Sequence, residues 1–275
     1  MQQSISYLSY WGLKELPFET TPDTRYFYFS KEHEEAFLRL RYVIEHKKPL
    51  CMITGEYGSG KTLLCNFLIT KLPYEKYQCV YLGNPFLPPE EVIHNLVLIL
   101  TRGGGGVEKL PVKKAEIIHL FVEIVKRNLQ IGKHTVIFFD EAHLVEDIKV
   151  FEELRVLLNS TTTIPISIIL LGQTELREKI GLLGQFKSRI TYHYHIKNLE
   201  KEEVDEYIKH RLLVAGHPTG ELFCKFAVEE IYNLTSGLPR TINNICDVSL
   251  MLAMGKEMDK VHKEVILEAK EEVLL

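Results

Sequence analysis

Basic charge is not in excess in this chain. Its 33 lysines and arginines stand against 37 aspartates and glutamates, a formal net charge of −4 over 275 residues. That balance removes the global positive field that advertises nucleic-acid binding. Cysteines are few and dispersed: Cys51, Cys65, Cys79, Cys224 and Cys246 form no CxxC pair. Such a set reads as reduced, mostly buried thiols of a reducing compartment, small core residues without chemistry of their own. No run approaches the ~18 apolar residues that span a bilayer. The longest, around Val97–Leu100 and Ile164–Leu171, are strand- or helix-sized. No basic-then-apolar signal segment opens the chain, so the expectation is a soluble, cytoplasmic protein. There is no internal repeat, and low complexity is confined to Gly103–Gly106. That run reads as a flexible loop between two helices, with no chemistry.

What is present is ordinary globular composition, 45% hydrophobic and 25% charged. It is enough for one large α/β domain and a smaller one. Residues 1 to 48 form a lead-in punctuated by Pro17 and Pro22, ending in a helical stretch, Lys31–Glu45, with Ser30 placed to cap it. Short apolar runs follow at Leu50–Thr54, Cys79–Leu82, Thr135–Phe139, Ile166–Leu171 and Thr191–Ile196. The first four are continuous rather than alternating, as expected for parallel strands buried on both faces. Between them lie helix-like segments, Lys61–Thr70, Pro89–Thr101, Val112–Gln130, Ile148–Asn159 and Glu175–Ile180. The alternation is that of a doubly wound α/β core over residues 49–198. From 199 to 275 the candidates are all helical: Glu200–Ala215, Cys224–Leu234, Arg240–Ala253 and His262–Val273.

The segment Gly55-Glu56-Tyr57-Gly58-Ser59-Gly60-Lys61-Thr62, followed by Leu63, satisfies GxxxxGK[ST] between an apolar strand and a helix. Glycines let the backbone wrap so that its N–H groups face phosphate oxygens, and the following helix presents its positive end to them. Lys61 adds a charge near the β- and γ-phosphates, and the Thr62 hydroxyl is placed for Mg²⁺. The expected ligand is ATP with Mg²⁺. In Val136-Ile137-Phe138-Phe139-Asp140-Glu141-Ala142-His143, two carboxylates emerge where an apolar strand ends. The carboxyl end of such strands is where ligands bind in open α/β sheets. Asp140 would hold Mg²⁺, and Glu141 would be general base or water-positioner for attack on the γ-phosphate. His143 either reports nucleotide state or merely bonds to its neighbours at a helix start.

Gln173 follows the run Ile166–Leu171 and can sense the γ-phosphate or orient the attacking water. Arg189 precedes the last strand, either as a finger reaching a neighbouring subunit's nucleotide or as an ordinary surface arginine. Arg240, in Ser236-Gly237-Leu238-Pro239-Arg240, either reaches back to the phosphates or salt-bridges within the small domain.

These residues carry a family resemblance. The chain resembles an AAA+ ATPase, more closely the general secretion pathway protein A type, which is similar to ATPases of pilus and exopolysaccharide export loci. The likeness begins at Tyr10-Trp11-Gly12-Leu13-Lys14-Glu15-Leu16-Pro17-Phe18, Thr21-Pro22-Asp23 and Tyr26-Phe27-Tyr28-Phe29-Ser30. It continues through the phosphate loop, Asp140–His143, Leu171-Gly172-Gln173 and Ser188-Arg189-Ile190. It closes with Gly237-Leu238-Pro239-Arg240-Thr241-Ile242-Asn243-Asn244 and Cys246-Asp247. The resemblance implies an AAA+ P-loop NTPase fold, with a five-stranded parallel sheet and a small C-terminal all-helical lid. It assigns Gln173 to the sensor-1 position, Arg189 to the arginine finger and Arg240 to sensor 2. An adenine pocket would draw on Tyr26–Ser30 and the small domain, although that aromatic run also reads as core packing. Secretion-pathway members commonly continue into a transmembrane helix and a peptidoglycan-binding domain, whereas this sequence stops at Leu275, after Glu271-Glu272-Val273-Leu274. A stand-alone ATPase and a truncated chain both fit.

The functional expectation is an ATPase that oligomerises as a ring or filament and drives or times assembly of a secretion, pilus or polysaccharide-export system. It would be cytoplasmic, reaching the inner face of the membrane through protein partners of that envelope assembly. The alternative is an ATP-switched DNA-binding assembly factor of the transposition-regulator type. Charge does not indicate DNA, but Lys47, Lys48, Lys113 and Lys114 are available either to line a pore or to form a solvated face. A small-molecule kinase needs neither the helical small domain nor Arg189. A DEAH-type helicase needs a second motor domain for which there is no room.

Overall fold

The computed structural model describes residues 6–102 and 110–273. The Gly103–Gly106 run and the terminal Leu274-Leu275 lie outside the described residues. In chain order the elements are α1 (Tyr7–Tyr10), α2 (Lys31–Glu45), β1 (Leu50–Gly55), α3 (Lys61–Lys71), β2 (Tyr77–Leu82), α4 (Pro89–Arg102) and α5 (Lys114–Gln130). There follow β3 (His134–Phe139), α6 (Lys149–Ser160), β4 (Ile166–Gly172), α7 (Glu175–Gly181), α8 (Gly184–Lys187) and β5 (Ile190–Ile196). Last come α9 (Lys201–Val214), α10 (Lys225–Thr235), α11 (Pro239–Gly255) and α12 (Lys263–Glu272). The described chain groups into two compact units. One comprises Met1–Glu34, Glu56–Leu63 and Lys197–Leu275; the other comprises Glu35–Gly55 and Leu64–Ile196.

The second unit is built on a five-stranded sheet in the order β2-β3-β4-β1-β5. Every pairing is parallel. The three inner strands are buried along their whole length, as their unbroken apolar runs require when helices cover both faces. β2 does not follow that expectation. It is an edge strand, and four of its six residues are half-buried, because only β3 pairs with it. Helices supply the cover by periodicity. In α4, Glu90 and Glu91 occupy the first turn, where negative charge meets the helix dipole. Its Val92, Ile93, Leu96, Val97 and Leu100 recur at helical spacing and are buried. α6 does the same with Val150, Phe151, Leu154, Leu157 and Leu158.

All five strands run the same way, so their carboxyl ends share one edge of the sheet. Register sets that edge: Gly55 pairs with Ile196, and Leu50 with Ile190 at the opposite edge. β4 lies between β1 and β3. Gly55, Asp140 and Gln173 therefore leave three adjacent strands on the same side.

The first unit joins the lead-in to the C-terminal helices. Trp11 is buried and donates its indole N–H to Leu250 O at 3.2 Å, while Tyr10 Oη donates to Met258 O at 2.7 Å. Buried Arg211 of α9 donates to Pro17 O and Glu19 O at 2.6 and 2.7 Å. The Glu203 carboxylate accepts from the backbone N–H of Lys31 at 2.9 Å and of Glu200 at 3.0 Å, so one buried side chain serves the first turns of two helices. Ser30 stands at the start of α2 as expected, its Oγ accepting from His33 N at 3.3 Å. The helices α9 to α12 are those read from the sequence, with one parallel bridge, Phe223 to Val261, between them. Among the described residues no helix is long and apolar enough to cross a membrane.

Candidate functional site

In the first unit the phosphate-loop sequence forms a tight turn that opens α3. Gly58 and Gly60 have φ of +88° and +91°, conformations that L side chains rarely adopt. Space forbids a side chain as well. A Cβ on Gly58 would lie 2.5 Å from Arg240 Cβ, and one on Gly60 would lie 2.9 Å from His33 Nε2. Ser59 N donates to Glu56 O at 3.1 Å, closing the turn. The Lys61 ammonium is mostly buried and donates to Glu56 O at 2.8 Å. The lysine is thus folded over the loop it would share with phosphate oxygens. Thr62 is exposed in the first turn of α3, and Leu63 is half-buried beside it.

Two side chains brace this loop. His33 is buried, with Nε2 2.9 Å from Ser59 O and Nδ1 2.7 Å from Ser30 Oγ. A carbonyl only accepts, so Nε2 carries the proton and Nδ1 accepts from the serine hydroxyl. Burial holds the His33 pKa below its usual value, which keeps this neutral tautomer in place. Arg240, second residue of α11, lies with its guanidinium carbon 3.9 Å from the centroid of the exposed Tyr57 ring. No sequence spacing ties residue 33 or residue 240 to residues 57–60, so the histidine brace was invisible in the sequence. The arginine stood out only through resemblance.

In the second unit the end of β3 carries the acidic pair. Asp140 is buried and accepts from the Tyr81 hydroxyl at Oδ2 and from Glu141 N at Oδ1, 2.8 Å away. Glu141 has φ +50° and ψ +30°, left-handed for a residue with a side chain. The turn Ala142–Leu144 follows it. His143 of that turn is buried, its Nδ1 3.4 Å from Glu141 Oε2 and its Nε2 2.8 Å from Gln173 Nε2. Lys179 of α7 donates to the main-chain carbonyls of His143 and Val145. Glu141, His143 and Gln173 are therefore consecutive neighbours. Sequence reading missed Tyr81, 59 residues from Asp140, and Lys179; neither stands in a motif.

Arg189 is placed differently. It precedes β5 at the amino edge of the sheet, and its guanidinium donates to Asn159 Oδ1. Two of the four lysines weighed for a pore are paired with acids: Lys113 with Glu116 at 3.7 Å and Lys114 with Glu153 at 2.6 Å. Cysteine behaves as core. Cys51, Cys65 and Cys246 are buried and Cys79 and Cys224 half-buried, all free. Burial raises the Cys51 thiol to about 12 and Cys79 to about 11, leaving them protonated at neutral pH. In the Tyr26–Ser30 run, Tyr26, Phe27 and Ser30 are buried and Phe29 is exposed.

The Asp140 carboxylate offers hard oxygens of the kind a magnesium ion takes, and it is held in place by two donors. Among the described residues no three His, Cys, Asp or Glu side chains gather into a metal cage.

Comparison with known proteins agrees with this geometry. Residues 44–180 match the family model described as "AAA domain". The chain is 34% identical to the General secretion pathway protein A of Aeromonas hydrophila, over 96% of its own length and 48% of that relative's. It thus spans about half of that protein. Among solved structures, Aeropyrum pernix ORC2 in its ADPNP-ADP complexes superposes with a TM-score of 0.68 at 16% identity, covering 94% of this chain and 71% of that one. Drosophila ORC bound to DNA gives 0.68 at 16% over 98% and 66%. The Thermotoga maritima RuvB Holliday junction branch migration motor gives 0.56 at 18% over 86% and 68%. At such identities these neighbours speak to the fold alone. Phosphate loop, acidic strand end, parallel sheet and helical C-terminal part accompany an AAA domain over residues 44–180, in a chain that resembles the general secretion pathway protein A type.

Proposed function

We propose that the chain hydrolyses ATP at the carboxyl edge of its sheet and, as an oligomer, uses turnover to drive or time assembly of a secretion, pilus or polysaccharide-export system. The observation that carries the hydrolytic reading is the strand order. With β4 between β1 and β3, Gly55, Gln173 and the Asp140–Glu141 pair leave adjacent parallel strands on one side.

Each residue then has a task. Backbone N–H groups of Gly58, Ser59 and Gly60 and the positive end of α3 bind the β- and γ-phosphates. Lys61 exchanges Glu56 O for a phosphate oxygen. Thr62 and Asp140 would hold Mg²⁺, which would supply positive charge to the phosphates. Glu141 takes the proton of the attacking water, and Gln173 orients that water or reads the γ-phosphate. Arg240, stacked beside the loop, serves the phosphates from within the helical lid of residues 199–275. Arg189 lies at the amino edge of the sheet, opposite the carboxyl edge where Gly55, Gln173 and Asp140 emerge. The six-residue register from Ile190 to Ile196 separates the two edges by roughly 20 Å. It would act on a neighbouring copy, and so the reading includes an oligomer.

The pathway rests on the relative's name, and on a relative twice as long. The working location is the cytoplasmic face of an envelope assembly. Two neighbours bear names that refer to DNA, but the net charge of −4 and the pairing of Lys113 and Lys114 with acids give no support to a DNA surface here. The deciding experiment uses Glu141→Gln protein. It should bind ATP and fail to turn it over, while Lys61→Ala should fail to bind. Normal hydrolysis by Glu141→Gln removes the base assignment. Fluorescent duplex DNA offered to the same variant, with ATP or ADP across a salt series, separates the cellular readings. No binding keeps the envelope reading; ATP-dependent binding that falls steeply with salt replaces it with the DNA-assembly factor.

A further inference from the structure

The turn after the acidic pair holds a side chain that the hydrolytic scheme leaves without a task. His143 is buried between Glu141 and Gln173, with Nδ1 3.4 Å from Glu141 Oε2 and Nε2 2.8 Å from Gln173 Nε2. The chemistry of these atoms orders them. A carboxamide nitrogen only donates, so His143 Nε2 is the acceptor and the ring proton sits on Nδ1. Nδ1 lies 3.4 Å from Glu141 Oε2, an electrostatic contact rather than a formed hydrogen bond. Turning the amide over would place the proton on Nε2 and leave a lone pair of Nδ1 against a carboxylate, which is repulsive. Gln173 thereby selects the tautomer that can donate towards Glu141.

The main chain around this link is held. Lys179 donates to the carbonyls of His143 and Val145, and Glu141 N is tied to Asp140 Oδ1. Glu141 itself sits at φ +50°, a left-handed conformation costly for a residue with a side chain. A pull on the Gln173 amide therefore cannot be absorbed by backbone drift in the turn. It passes to the imidazole and from there to the carboxylate.

We propose that His143 is a positioning residue through which Gln173 sets the orientation of the Glu141 carboxylate. Held at Nε2 by the Gln173 amide, the ring keeps the Glu141 carboxylate in the orientation from which it takes a proton from water. The proposal rests on the reading of Glu141 as the base, and it adds what controls that base.

The test is steady-state ATP turnover and equilibrium ATP binding of full-length protein carrying His143→Ala, Gln173→Ala, both together, or His143→Gln. Each single alanine variant should lower kcat by about 10- to 100-fold, with KM and ATP affinity within about twofold. The double variant should be no slower than the slower single one, because the two residues act in one link. His143→Gln should recover most of the lost rate, since a carboxamide carries the acceptor and the donor that the neutral ring supplies. A role in folding alone gives no such rescue and shows instead as a lowered melting temperature. The proposal is overturned by a double variant whose loss is the product of the singles, by unchanged kcat in His143→Ala, or by His143→Gln no faster than His143→Ala. Glu141→Gln in parallel separates the two failures. If it still hydrolyses, the base reading falls; if it is dead while His143→Ala is normal, only the link falls.

Discussion

The guanidinium of Arg240 stacks on Tyr57, 3.9 Å from its ring centroid, and its Cβ fills the space a side chain at Gly58 would need. The first turn of α11 is thereby seated on the phosphate loop through one residue. The cation is held by an aromatic face rather than by a carboxylate, so a phosphate can recruit it without breaking an ion pair.

Arg240→Ala should weaken ATP binding by about tenfold, through loss of both the stack and the charge. Arg240→Lys should recover part of the charge effect and little of the stacking, because an ammonium lacks the planar face. Titration of a fluorescent ATP analogue against both variants checks this. Equal affinity in all three proteins removes Arg240 from the site.

Gly58→Ala should be worse than Arg240→Ala. It must hold alanine at φ +88° and displace Arg240 Cβ from 2.5 Å, a cost of about 1–2 kcal/mol in backbone strain before any clash is counted. The expected result is a lowered melting temperature together with loss of nucleotide binding. A folded variant with native affinity contradicts the loop geometry.

Tyr81→Phe removes one of the donors that hold the Asp140 carboxylate. If that carboxylate serves Mg²⁺, the variant should need about 10-fold more magnesium for half-maximal turnover, with saturated kcat changed less. A magnesium titration of turnover distinguishes this from general damage, which would lower kcat at every concentration.

Arg189→Ala should abolish the dependence of specific activity on protein concentration and lower the plateau rate. Where arginine fingers act in trans they contribute about 10³–10⁵ in rate. Activity per molecule is measured across a dilution series. A wild-type rate independent of concentration, unchanged in the variant, returns Arg189 to its bond with Asn159.

His134 gives a pH prediction. It is buried at the start of β3, its Nε2 2.9 Å from Ser167 Oγ, and Ser167 in turn donates to Lys48 O at 2.6 Å. Burial, with the Lys47 charge second, lowers its pKa from 6.5 to about 4. The unfolded chain then binds the proton more readily than the folded one, so this contribution to stability is full above about 6.5 and falls as pH drops towards about 4. The size is about 3 kcal/mol over that window. Urea midpoints at pH 7.5 and 5 should differ by less in His134→Gln than in the wild type; an equal difference means that His134 is not the group titrating.

The elements most legible in the sequence were those whose signal is local. β1, β3 and β4 are unbroken apolar runs because helices must cover both their faces, and their ends fell within a residue or so of the runs themselves. β2 misled for the same reason. Its composition resembles that of an inner strand, and only its place at the edge makes it half-buried.

The candidate site divides along the same line. Gly55 to Leu63 and Asp140-Glu141 stand out in the sequence because the phosphate and metal chemistry proposed for them would demand fixed residue types at short, fixed spacing. The α/β core and the helical C-terminal part were determined by the sequence alone. Tertiary structure alone decided that His33 and Arg240 brace the phosphate loop, that Tyr81 holds Asp140, and that His143 lies between Gln173 and Glu141. These partners are 25 residues or more apart in sequence, apart from His143 and Glu141, whose meeting depends on the left-handed turn at Glu141. A hydrogen bond needs atoms within about 3 Å, and no periodicity or spacing encodes a meeting that the order of strands in the sheet and the packing of helices bring about.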